Sequence, residues 1–90
     1  MKKTIISVVG KDTVGIIAGV CSYLAENNVN ILDISQTIID GYFNMMMITD
    51  TSRSEKKLYQ LAEEMEEVGN KIGVIIHVQH EDIFNKMHRI

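Results

Sequence analysis

The apolar residues of this chain change their spacing along its length, and the order of those changes restricts the fold more than any single motif does. Thr4 to Val9 is a run rich in β-branched residues that ends at Gly10, with apolar side chains on both of its alternating sets. Such a run reads as a strand from the middle of a sheet. After the segment Gly10-Lys11-Asp12-Thr13-Val14-Gly15, the apolar residues Ile17, Val20, Cys21 and Leu24 recur at helical spacing, with Asp12 or Thr13 placed to cap the helix. Asn27-Asn28 closes it with residues that tolerate left-handed backbone. Val29 to Ile39 then resumes β-type sequence, with Leu32, Ile34 and Ile38 on one face.

Asp40-Gly41 marks a two-residue hairpin, because both central positions of a type I′ turn need positive φ, and Tyr42 to Thr49 continues as a strand. Thr51, Ser52 or Ser54 can cap a second helix, in which Leu58, Leu61, Ala62, Met65 and Val68 form one stripe and Glu63, Glu64, Glu66 and Glu67 fall largely off it. That helix ends at Gly69 or Gly73. Val74, Ile76 and Val78 alternate with Ile75, His77 and Gln79 as a fourth strand, and Ile83 or Phe84, Met87 and Ile90 are spaced as a short amphipathic tail. The order predicts an α+β, ferredoxin-like βαββαβ sandwich: a four-stranded antiparallel sheet in the order 4-1-3-2, both helices on one face, and a short C-terminal helical tail.

The chain has 90 residues, and residues 1–90 are expected to form one domain, since a core that small cannot be divided and still offset chain entropy. A small core with no proline and one cysteine gains stability by burying surface in an oligomer, so a homo-oligomer is expected. Cys21 alone permits no intramolecular disulfide, and Met1-Lys2-Lys3, followed by polar Thr4 and Ser7, lacks the apolar core of a signal peptide. Both point to the cytoplasm. No apolar run approaches the ~20 residues that span a bilayer, so no membrane partner is expected. A net charge of −3 argues against nucleic acid as a partner, because that affinity needs clustered Lys and Arg.

Several activities that use this architecture are excluded by residue type. A phosphoryl- or carboxyl-binding enzyme of the acylphosphatase kind needs an arginine in the first loop, but the arginines here are Arg53 and Arg89. A heavy-metal carrier needs a Cys-x-x-Cys pair beside the first helix, and an RNA-recognition domain needs aromatic residues on its central strands. The first loop contains no cysteine, strand one carries no aromatic residue, and the net charge is negative.

The segment VVGKDTVGIIAGVCSYLAENNVNILDISQTI, Val8 to Ile38, resembles the opening half of ACT domains: a strand entering a Gly-x-Asp-x-x-Gly-Ile turn, a helix, and an Asn-Ile that begins the next strand. The resemblance extends through the DGYFNMMM hairpin, Asp40 to Met47, to the IFNKMHRI tail, Ile83 to Ile90. It is strongest to small stand-alone prokaryotic ACT-domain proteins, and holds also for the ACT units of formyltetrahydrofolate deformylases and glycine-cleavage repressors. Where many ACT domains carry proline before the second loop glycine, this chain has Val14. The resemblance implies a single ACT domain that acts as a dimeric regulatory module. It would bind a small molecule, an amino acid, between one chain's first loop and the other chain's Asn-bearing second strand, without enzymatic chemistry and without a cofactor.

On that basis the candidate ligand-binding residues are Gly10, Asp12, Thr13, Val14, Gly15 and Ile16 in the loop, with Asn30 and Ile31 at the start of the second strand. A helix N-terminus offers unpaired N–H groups to a carboxylate. Asp12 can accept an α-ammonium, Asn30 can meet either polar end, and Gly10 and Gly15 allow close backbone approach, Gly15 also letting the first helical turn pack tightly on the sheet. Each residue has a plainer reading as well. Asp12 can be only a helix cap, Asn30 can satisfy local backbone, and the glycines can serve turn and packing. Cys21 reads as a small buried hydrophobe, Met45 to Met47 as core filling, the glutamate run as a solvated helix face, and His77, His80 and His88 as too scattered for a metal shell. The competing functional reading is a ligand-free interaction module that recruits or regulates a partner protein.

Overall fold

In a computed structural model that describes residues 2–81, the first β-branched run becomes β1, Lys3–Lys11. It is followed by α1 Ile16–Glu26, β2 Asn30–Ile39, β3 Tyr42–Asp50, α2 Leu58–Ile72 and β4 Val74–His80. The sheet order is β2-β3-β1-β4 with every neighbouring pair antiparallel, which is the arrangement expected from the element order. The expected helical tail at Ile83, Phe84, Met87 and Ile90, and also His88, lie outside the described residues.

Strand alternation builds the core. Ile6 and Val8 of β1 lie opposite Met47 and Met45 of β3 and Val78 and Ile76 of β4, so all six side chains share the helix-facing side of the sheet. Ile16, Val20 and Leu24 of α1 and Leu61 and Met65 of α2 bury against them. Each such side chain contributes about 1.5–3 kcal/mol relative to exposure. α2 approaches β4 closely because Gly69 has no side chain: a Cβ there would sit 2.6 Å from the Val74 carbonyl oxygen. The sheet's other face has no helix among the described residues, and Val9, Met46 and Ile75 on it are exposed. β1 is therefore central because both of its edges are paired, and not because both of its faces are covered.

Turn chemistry corrects several expectations. The hairpin is type I′-like, with Asp40 at φ 52° and Gly41 at φ 81°. Neither Asp12 nor Thr13 caps α1: the N-cap is Gly15 at φ 92°, with no side-chain hydrogen bond, because the loop makes its bend closer to the helix than those residues stand. Thr51, Ser52 and Ser54 do not cap α2 either, since the helix begins later, at Leu58, where the Gln60 side-chain oxygen accepts the Lys57 N–H at 2.8 Å. Leu58, expected on the buried stripe, is correspondingly exposed, and the buried residues of α2 are Leu61, Met65 and Gly69. Gly73 ends the helix at φ 91°, its N–H bonded to the Gly69 carbonyl at 2.7 Å. α1 is rotated from the expected stripe. Ile16 is buried, while Ile17 is exposed and Cys21 only half-buried.

Candidate functional site

The residues singled out in the sequence fall into two groups at opposite ends of the sheet. β1 and β2 run in the same direction, each antiparallel to β3. The loop that leaves β1 is thus at one end, and Asn30, which opens β2, is at the other. β2 has 10 residues, so at about 3.3 Å per residue the two groups are separated by roughly 30 Å within one chain.

At the loop end, the Asp12 N–H donates to the Gly41 carbonyl at 2.9 Å and ties the loop to the β2–β3 hairpin. Gly15 takes a left-handed conformation, but a Cβ on it would meet nothing within 4 Å. Its requirement is backbone conformation, and the expectation that it serves close packing is corrected. Gly10 shows the reverse. A Cβ there would come within 2.7 Å of Val74 Cγ1 and 3.1 Å of Val74 Cα, so the contact between β1 and β4 accounts for it. Ile16 places its side chain in the core, while Thr13 is exposed and Val14 is fully exposed, at 103%. The first N–H groups of any helix lack intrahelical partners, and no side chain caps them here. This end therefore presents a partial positive charge with an exposed carboxylate, Asp12, beside it.

At the other end, Asn30 pairs with Asp50 across β2 and β3 and is exposed, whereas Ile31 is half-buried against the core. A register shift between Ile31 and Asp33 makes Leu32 an extra residue, which is why Leu32 does not alternate with Ile34 and Ile38 as expected. Asn30 lines a depression of about 400 Å³ together with Asn28, Val29, Asp50 and Arg53. Asp50 Oδ1 accepts the Ser52 N–H at 3.0 Å and the Lys2 N–H at 3.3 Å. The hydrogen bonds from Ser52, then that from Lys2, hold its carboxyl below the usual carboxylate range. Arg53 was set aside in the sequence because it is remote from the first loop. Counting back along the strands from the hairpin would have placed it beside Asn30.

A third polar group was missed. Between the helices, the Tyr23 hydroxyl donates to Glu64 at 2.9 Å, and Lys56 pairs with the same carboxylate while lying 5.8 Å from the Tyr23 ring centroid. Burial, then Glu64, pushes the Tyr23 hydroxyl well above its ordinary value, while Lys56, then Tyr23, holds the Glu64 carboxyl down. Glu64 is thus an exception within the solvated glutamate run. These groups lie in a trough of about 710 Å³ between α1 and α2. It is larger than the depression at Asn30, but Tyr23, Lys56 and Glu64 in it already satisfy one another, so that group reads as a clasp between the helices. Among the described residues no three of His, Cys, Asp and Glu converge as metal ligands, and no helix is long and apolar enough to cross a membrane.

Comparison with known proteins places the fold. The family profile described as ACT domain matches residues 2–79. A UPF0237 protein of Bifidobacterium longum is 61% identical over 90 residues, covering 100% of both chains. Among solved structures, an ACT domain protein from Streptococcus pneumoniae superimposes with a TM-score of 0.82 at 44% identity, over 92% of this chain and 93% of that one. A putative glycine cleavage system transcriptional repressor superimposes with a TM-score of 0.77 at 20% identity, over 88% of this chain and 45% of that one, a likeness of fold.

Proposed function

The chain belongs to the ACT domain family, and on that premise we propose that it is a small-molecule-binding regulatory module that holds an amino acid between two copies of itself. The observation that carries the reading is the separation of the loop from Asn30. One chain cannot bring them to one ligand. Two copies joined antiparallel along β2 can, because a two-fold axis across that edge sets the loop end of each copy beside the Asn30 end of the other. β2 is suited to the role: it is an edge strand, and Ile34 and Ile38 are exposed on it at 44% and 59%. Ile17 and Cys21 lie on the flank of α1 opposite Gly19 and Tyr23, which face α2 through Ile72 and Glu64. Pairing would cover both the open strand edge and this apolar border.

In the shared site, the uncapped N-terminus of α1 receives the ligand's carboxylate and Asp12 its ammonium, while Asn30 of the second copy closes the other side. Val14 then covers the ligand. Regulation follows from the ligand's preference for one subunit arrangement over another, and no covalent step is involved. The alternative, a module that recruits a protein partner without a ligand, finds its surface on the bare face of the sheet around Val9, Met46 and Ile75. Substituting Ile34→Asp tests the shared site. It is expected to yield monomers in sedimentation and to abolish amino-acid binding in calorimetry. Monomers that still bind with native affinity would refute it, and a native protein that binds no amino acid at millimolar concentration would leave the interaction module as the surviving reading.

A further inference from the structure

Any ligand that reaches Asn30 enters the depression that Arg53 also lines, because the two residues border the same space. Among the described residues no carboxylate pairs with Arg53, and its side chain is exposed. It is also the sole arginine within residues 2–81. A guanidinium presents donors in a planar fork that matches a carboxylate. Beside it, Asp50 Oδ1 accepts the backbone N–H groups of Ser52 and Lys2, and its carboxyl is held in the charged form chiefly by Ser52. The depression therefore brings together one cation able to take an anion, one carboxylate of the charge that attracts an ammonium, and the amides of Asn28 and Asn30, which can serve either.

The loop end contributes a second, separate anion-favouring position at the N-terminus of α1. Resting on the reading that both ends meet across two copies, we infer that the site selects an amino acid with an acidic side chain, Arg53 of one copy taking one carboxylate and the α1 N-terminus of the other copy taking the second. The ammonium falls between them, within reach of Asp12 and Asp50. A neutral amino acid satisfies only one of the two anion-favouring positions. A basic one would set a second cation against Arg53. Because the chain as a whole carries a charge of −3, its general field does not gather anions, and the selection has to be local.

The test uses the full chain and calorimetry with L-glutamate and L-aspartate set against L-glutamine and L-asparagine, which match them in shape and lack the second charge. The acids are expected to bind roughly tenfold more tightly or better, the effect of one charge-assisted, two-pronged contact. Arg53→Gln should remove that preference and leave the amides as they were, and Arg53→Lys should keep part of it, because the charge remains without the fork. Unchanged thermal melting of both variants would establish that the fold is intact, as an exposed residue without a carboxylate partner leads one to expect. If acids and amides bind the native protein equally, or if Arg53→Gln weakens both alike, the assignment to Arg53 is wrong while amino-acid binding stands. Failure of every amino acid to bind the native chain would overturn both.

Discussion

Gly15 offers a direct measurement of what the loop between β1 and α1 costs. It sits at φ 92° with no atom within 4 Å of the Cβ it lacks, so any substitution there meets a backbone penalty and no clash. Placing an L residue in the left-handed region costs roughly 1–2 kcal/mol. For a chain of 90 residues, an unfolding entropy of about 2.1 cal/mol/K per residue gives roughly 0.19 kcal/mol/K at the midpoint, so Gly15→Ala should lower Tm by about 5–10 °C. Gly15→Asn should lose less, because asparagine tolerates this region better than other residues with a side chain. Differential scanning calorimetry of the native, Asn and Ala forms should therefore rank them in that order. If alanine proved as stable as glycine, or asparagine worse than alanine, the conformational account of Gly15 would fail and a contact would have to be sought.

Gly69→Ala should cost about 1–3 kcal/mol from overpacking, partly offset by helix propensity, because its methyl meets the Val74 carbonyl at 2.6 Å. Gly19→Ala should cost less, since it meets the movable Cδ1 of Ile72; urea midpoints that rank the two the other way would contradict the packing described between α2 and β4. Glu64 has a depressed carboxyl, so its contribution is complete above its unfolded pKa of about 4.3 and disappears as pH falls through the lower folded value. Glu64→Gln should flatten the loss of stability on that acidic side, and parallel pH profiles for the two proteins would exclude the clasp. Tyr23, shifted upward, acts in the opposite sense: its contribution is present below a pKa of about 10 and is lost above the folded value, a trend that Tyr23→Phe should remove from alkaline melts.

Element order was legible in the sequence because each element carries its own period, and Asp40-Gly41 announced a turn whose two residues do adopt positive φ. Helix starts were less legible. Asp12, Thr13, Thr51, Ser52 and Ser54 are all capable caps, but the chain spends several residues turning before each helix begins, and the N-caps are Gly15 and Lys57. Propensity alone does not say how many residues a turn consumes. The rotation of α1, which buries Ile16 and leaves Ile17 exposed, has the same origin, since moving a helix start moves its face. Gly10 and Gly15 looked alike in sequence. The neighbour across the sheet separates them, Val74 for Gly10 and open space for Gly15. Arg53 is remote from the first loop in sequence and meets Asn30 only through the pairing of β2 with β3, and the Tyr23–Glu64 clasp depends on how the two helices pack, which local pattern does not carry.

The placement of the loop and Asn30 at opposite ends of the sheet carries a genetic consequence. In the proposed two-fold pair each site would draw one half from each chain, so a variant damaged at Asp12 and a variant damaged at Asn30 would each lose both sites as homodimers. Mixed together, they would form heterodimers in which the two lesions fall on one site and the other is built wholly from intact halves. Two inactive proteins would then restore half of the binding capacity of their mixed dimers, whereas two variants damaged at the same end would restore none.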